Sequence, residues 1–350
     1  MRHLRNKIQV GMIGGNFSSM VHIPAFRLNP RCEVAGVTTS TPEHSIEIAE
    51  KTGLQNAYRH WKAMLADDAI DAVSIAVPPL LQSSIALAAL EQGKAVFAEK
   101  PLAANLREAD QLAAAALASQ KPNMVDFHLV TSETWNAAKK MIQTRQMGDL
   151  LHIVVQYMGE VPRNKLMKGW QGAKEAGGGG LFDLLSHIFH YLEWFAGPIA
   201  GLNAKLFSTV KDAPDRDTFD VVAIEFASGV VASVTVSRTA FLGPGHRIEF
   251  SGSEGTLVLH NTTRDVRGFR LYHGTRERPE LLPIHFPSVP ESEKLLDGRI
   301  FSVGKLVSRF LDWIETGVPQ VPNFKEGLRV QHLLEVARMS DQSGQWMKVS

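Results

Sequence analysis

Short apolar runs alternate with helical stretches over the first 127 residues, and this alternation constrains the fold more than any other feature of the chain. IQVGMIG (8–14), CEVAGVTT (32–39), AVSIAVP (72–78), KAVFAEKP (94–101) and NMVDFHLV (123–130) read as strands. MVHIPAFRLN (20–29), TPEHSIEIAEKTG (41–53), residues 80–92 and NLREADQLAAAALAS (105–119) read as the helices between them. Thr41-Pro42 opens the second helix and Gly53 closes it. Strands alternating with helices imply right-handed crossovers and a parallel sheet covered on both faces.

Beyond residue 130 the rhythm changes. A helix near 133–146 leads into LLHIVVQYM, and strand candidates follow near 202–209, 219–227, 230–238, 246–251 and 255–260. Tight turns such as ASG and SGSEG between short runs suggest an antiparallel sheet. The Pro-rich 278–291 stretch reads as a loop, and residues 301–316 and 325–340 read as helices. The expected architecture is α/β, a doubly wound parallel sheet over 1–127 followed by an α+β domain over 128–350. Two domains also suit a chain of 350 residues.

Composition removes several function classes. A formal net charge of +1 offers no field for nucleic acid or acidic membrane. No window approaches the roughly 18–20 apolar residues of a membrane span. The basic start MRHLRNK meets Gly14 and Gly15 after only a short apolar run, so no signal peptide is expected and a cytoplasmic protein is. Cys32 is the single cysteine, which excludes an intramolecular disulfide and a multi-cysteine metal site.

GMIGGNFSS follows the first strand and opens the first helix, where a dinucleotide-binding turn belongs. Such a turn lays a pyrophosphate over the free N–H groups of a helix N-terminus. Gly14 matches the glycine pattern, while Asn16 and Ser19 replace its second and third glycines. The second strand ends Val37-Thr38-Thr39-Ser40-Thr41, without the acid that binds the ribose 2′-hydroxyl in NAD-specific sites. These hydroxyls lean toward NADP over NAD, although they also cap a helix.

FAEKP (97–101) resembles the Glu-Lys-Pro motif of the glucose–fructose oxidoreductase / inositol dehydrogenase / rhizopine-catabolism (Gfo/Idh/MocA) family. WQGAKEAGGGGLFDLLSH (170–187) resembles that family's second signature, glycines followed by Asp and then His. VPP at 77–79 and NFKEGLRVQHLLEVARMSDQSG (323–344) keep the family's order, so the likeness spans nearly the whole chain. It implies a Rossmann domain, an open antiparallel sheet domain, and NAD(P)-dependent oxidation or reduction of a sugar, polyol or related ring. Carried over, Lys100 matches the catalytic lysine, and Asp183 and His187 match the Asp and His of the second signature. The cofactor would lie against Gly14, Gly15, Asn16, Phe17, Thr39, Ser40, Pro78, Glu99 and Lys100. The chain departs from the family at Leu185 (a glycine), His190 (commonly an acid) and Gln82 (often a histidine).

The residues also make chemical sense without the resemblance. On a regular helix Asp183, His187, His190 and Trp194 share one stripe. The remaining surface is Leu181, Phe182, Leu184, Leu185, Ile188, Phe189, Leu192 and Phe195, a helix apolar nearly all round and therefore buried. The polar stripe must then face an interior cleft, unless Asp183 and His187 form a satisfied structural pair. His187 is assigned as general acid–base, Asp183 as its orienter or a substrate-hydroxyl acceptor, and Lys100 as the cation on the reacting oxygen. His128, Trp170 and His190 are candidates for the substrate wall, with Gln156, Tyr157 and Arg163 beside them. Four consecutive glycines, 177–180, are entropically expensive. They are expected to let the following helix approach nicotinamide and substrate.

A metal at Asp183, His187 and His190 is disfavoured because Lys100 would crowd it, so no metal is expected. The expected partners are a carbohydrate or polyol substrate and a second copy of the chain, as homodimer or homotetramer. Two other classes stay open: a glycoside-cleaving enzyme using transient oxidation, and a non-catalytic dinucleotide or sugar sensor.

Overall fold

The computed structural model describes residues 7–162, 166, 179–211, 216–263, 265–287 and 296–349. It divides into two compact units, Met1–His128 with Leu295–Gln331, and Leu129–Lys294 with His332–Ser350.

In the first unit β1 (Ile8–Ile13), β2 (Cys32–Thr38), β3 (Ala72–Ile75), β4 (Ala95–Ala98) and β5 (Asn123–Val125) form one parallel sheet in the order β2-β1-β3-β4-β5. The helices α1 (Ile23–Arg27), α2 (Pro42–Thr52), α3 (Trp61–Leu65), α4 (Pro79–Glu91) and α5 (Leu106–Ser119) connect the strands. Strands β3 and β4 are buried at every residue, as near-continuous apolar runs in a two-sided parallel sheet should be. The Thr41 side chain accepts from the His44 amide to cap α2, and Gly53, at φ 65°, ends it. Asn105 caps α5 in the same way. Chain order reverses between β1 and β3, which places the ligand crevice of such a sheet at their carboxyl ends.

The helix α8 (Arg299–Thr316) belongs to this unit, although the sequence reading assigned everything after 127 to the second domain. Its Ile300, Val303, Leu306, Val307 and Phe310 complete the core over Val10, Met12, Phe26 and Phe97. Local pattern shows that such a helix is amphipathic; it does not say which sheet receives its apolar face.

Among the described residues the second unit is built on nine strands: β6 (Leu150–Met158), β7 (Ile199–Phe207), β8 (Phe219–Phe226), β9 (Val231–Ser237), β10 (Gly245–Gly252), β11 (Gly255–Asn261), β12 (Arg270–Thr275), β13 (Leu282–Ile284) and β14 (Met347–Lys348). Their order is β13-β12-β11-β10-β6-β9-β8-β7-β14, antiparallel throughout except for the β6–β9 pair. Strands β12, β13 and β14 are additions to the expected set, and β13 falls inside the stretch read as a loop. Alternation is clean in β8: Val222, Ile224 and Phe226 are buried while Val221, Ala223 and Glu225 face outward. Helices α6 (Glu133–Gln143), α7 (Ser186–Ala196) and part of α9 (Phe324–Ser343) complete the unit. Among the described residues no helix is long and apolar enough to cross a membrane.

Candidate active site

The glycine turn after β1 is shaped by close backbone approach. Gly14 has φ 135°, and a Cβ there would lie 2.2 Å from the Ala76 carbonyl oxygen. Only glycine fits. The Gly14 amide donates to the Thr38 oxygen at 2.9 Å, tying the turn to the end of β2. The chain then enters a helix whose residues Ser18–His22 form a π turn ahead of α1. Pro24 contributes to that irregularity, since it cannot donate to the carbonyl four residues back. The Thr39 hydroxyl bonds the Thr41 carbonyl and Ser45, so it is part of the capping structure of α2. Ser40 is exposed nearby, and Pro78 precedes α4 as its cap. Phe17 lies edge-on to His22 at 5.2 Å, with the Arg299 guanidinium 4.9 Å above its ring.

Below this turn lies a buried charged group. His22 is fully buried; its Nδ1 meets Ser74 Oγ at 2.8 Å and its Nε2 meets Glu99 Oε1 at 3.0 Å. Asp126 Oδ2 lies 3.5 Å from the same Nε2, and Asp126 Oδ1 meets His128 Nδ1 at 3.0 Å. Burial opposes a charge on His22, but the bonds to Asp126 and Glu99 win and push its pKa up to about 9. Burial and the neighbouring Asp126 raise Glu99. Burial also acts to raise Asp126, yet His128 and His22 hold it well below the usual carboxylate range. The polar atoms of His22, Glu99 and Asp126 fall within 4.8 Å of one another.

Lys100 follows Glu99 at the carboxyl end of β4, and its backbone N–H donates to Glu99 Oε2 at 3.2 Å. The same turn is held from the other side by Gln82 of α4. Its Nε2 reaches the carbonyls of Glu99, Pro101 and Leu102 at 2.5, 2.9 and 3.2 Å.

In the second unit the glycine run meets acids. A Cβ on Gly179 would lie 1.9 Å from Asp217 Oδ1, and one on Gly180 would lie 2.4 Å from Asp220 Oδ2. Gly177, Gly178, Arg163 and Trp170 lie outside the described residues. The following helix is not regular: Leu181–Leu185 form a π turn before α7. The single α-helical stripe expected for Asp183 and His187 is therefore interrupted between them. Asp183 Oδ2 lies 3.5 Å from the guanidinium of Arg238, a buried residue just after β9 that the sequence reading missed. Asp220 is fully buried, and burial with Asp217 close by pushes its pKa well above the ordinary value. His187 is half-buried. His190 lies in the core, where burial lowers its pKa to about 3. Tyr157 stacks on His246 at 4.4 Å, while the more exposed Gln156 sits one residue earlier on β6.

Residues 8–127 match the family described as "Oxidoreductase family, NAD-binding Rossmann fold", and residues 135–258 match the GFO/IDH/MocA C-terminal domain. This chain belongs to the Gfo/Idh/MocA family. Among Gfo/Idh/MocA relatives, the levoglucosan dehydrogenase of Pseudarthrobacter phenanthrenivorans is 26% identical over 385 residues, covering 98% of both chains. An uncharacterized oxidoreductase of Synechocystis sp. is 27% identical, covering 98% of this chain and 96% of that one. The myo-inositol 2-dehydrogenase of Thermotoga maritima is 23% identical over 73% of this chain and 75% of its own. Levoglucosan dehydrogenase solved in complex with NADH and levoglucosan superimposes with a TM-score of 0.88 at 26% identity, over 98% of this chain and 99% of that one.

The three departures from the Gfo/Idh/MocA pattern now have locations. Gln82 clamps the Glu-Lys-Pro turn, Leu185 is a fully buried residue closing the π turn, and His190 is a neutral core histidine.

Proposed function

We propose that this Gfo/Idh/MocA oxidoreductase moves a hydride between the nicotinamide of NAD or NADP and a carbinol carbon of a small cyclic sugar or polyol. The observation that carries this reading is the full-length likeness to a dehydrogenase solved with NADH and levoglucosan. The first unit fits a dinucleotide on its own geometry. The Gly14 turn has no room for a Cβ, and it sits at the β1–β3 switch point of the parallel sheet, ahead of a helix N-terminus. Residues 38–41 carry hydroxyls and no carboxylate, which supports acceptance of a 2′-phosphate as well as a 2′-hydroxyl.

When bound, the nicotinamide supplies or accepts the hydride. The rest falls to the chain. We assign Lys100 to donate a hydrogen bond to the reacting oxygen and so stabilise charge developing on it. His187 is assigned the proton of that oxygen. Asp183, braced by Arg238, is assigned a neighbouring substrate hydroxyl or the orientation of His187. His190 stays out of the proton traffic, because burial keeps it neutral at ordinary pH. The outward face of the nine-stranded sheet carries Leu151, Val221 and Val231 half-exposed, which supports a homodimer or homotetramer. A light-scattering mass of one chain would remove that part.

The test is a panel of levoglucosan, L-sorbose and myo-inositol with NAD and with NADP, followed by nicotinamide absorbance. Reduction of at least one cofactor by a cyclic substrate is expected. Tight cofactor binding with no turnover on any sugar or polyol would overturn the reading in favour of a sensor.

A further inference from the structure

His22 holds Glu99, a carboxylate that also accepts the backbone N–H of Lys100. Its imidazole is fully buried and uses both nitrogens, Nδ1 on Ser74 and Nε2 on Glu99 Oε1, with Asp126 Oδ2 at 3.5 Å. The second Glu99 oxygen, Oε2, accepts the Lys100 N–H at 3.2 Å. Phe17 and Phe97 stand edge-on to the ring at 5.2 and 5.5 Å and keep water from it. The polar groups around this place are few and come from several elements. Ser74 lies on β3, Glu99 follows β4, Asp126 and His128 follow β5, and the Arg299–Asp297 pair stands at the start of α8.

We propose that His22 is a positioning residue for Lys100: buried between Glu99 and Asp126, it fixes the Glu99 carboxylate, which in turn sets where the lysine leaves the end of β4. This rests on the assignment of Lys100 to the reacting oxygen. The charge on the ring matters as much as its shape. Two buried carboxylates converge on Nε2, and without a cation between them one must protonate or turn away. Glu99 is the one that yields. Its side chain retains 15% exposure, whereas that of Asp126 has none and keeps His128 as a second partner. Once Glu99 turns, the Lys100 amide loses its acceptor.

The experiment compares wild type with His22→Gln, reading hydrogen exchange at the Lys100 amide by NMR and oxidation of levoglucosan with NAD. In the variant, exchange at Lys100 should speed up about tenfold or more. kcat should fall about ten- to a hundredfold, with KM for NAD little changed. Should the variant fail to fold, wild type suffices. Raising the pH through about 9, where His22 loses its proton, should strip protection from Lys100 beyond the intrinsic rise of exchange. Unchanged protection at Lys100, in His22→Gln or in wild type across that pH, overturns the proposal. If exchange responds while wild type oxidises no sugar, the positioning role stands and the assigned reaction falls.

Discussion

Gly179 and Asp217 occupy nearly the same space: the position a Cβ on Gly179 would take lies 1.9 Å from Asp217 Oδ1. The other carboxylate oxygen accepts the Leu181 amide at 2.5 Å, so the acid caps the segment that the glycines admit. At Gly179 the backbone angle and the protein's own carboxylate together favour glycine. Gly179→Ala would meet both the contact and a φ of 100°. We expect it to cost about 1–3 kcal/mol, read as a lower denaturant midpoint. Asp217→Ala in the same background should recover only the part due to contact.

The Asp183–Arg238 pair makes a second expectation. Truncating Arg238 removes the guanidinium that braces Asp183, so Arg238→Met should lower kcat/KM about tenfold or more on any substrate identified. Asp183→Asn should do the same, and the double variant should lose much less than the product of the two. Independent losses in that cycle would mean the pair is not a working unit.

Lys100→Met and His187→Ala should each cut turnover at least about a hundredfold while NADH still binds, as fluorescence titration would show. Normal turnover in both would remove the proposed chemistry.

Stability should depend on pH in opposite directions in the two units. His22 is raised to about 9, so its contribution is complete below about 6.5, its value in an unfolded chain, and is lost as pH climbs through about 9. His190 and His246 are lowered to about 3 by burial, so their contribution is present above about 6.5 and drains away as pH falls toward about 3. Hydrogen exchange resolved by residue should show the parallel sheet loosening first in alkali and the nine-stranded sheet first in acid.

Much of the parallel-sheet domain is legible in the sequence because its signals are local. Thr41, Gly53 and Asn105 mark helix ends where they were expected. Strands β3 and β4 are buried at every residue and apolar apart from Ser74, as two-sided burial favours. What the sequence hid was pairing across distance. His22 sits in VHIPA, as unremarkable as any histidine in an apolar helix, until Glu99 and Asp126 arrive from two other strand ends. A charge at the carboxyl end of a buried strand marks Asp126 in the sequence just as it marks Lys100. Arg238 carried no such mark. The π turn at Leu181–Leu185 defeated a stripe drawn at 3.6 residues per turn, while β12 was too polar and β13, three residues with a central proline, too short to stand out.

The π turn at Ser18–His22 makes the first helix unusually sensitive to length. Such a turn holds one residue more than an α-helix would, so a single deletion within it could relax to ordinary helix without breaking the chain's path. The chain on either side of the turn would keep its path, while the side chains within it, His22 among them, would be re-aimed around the axis relative to Glu99. At this spot, then, an indel is a subtler and more damaging lesion than most substitutions, for it would spare the fold and disable the cation beside it.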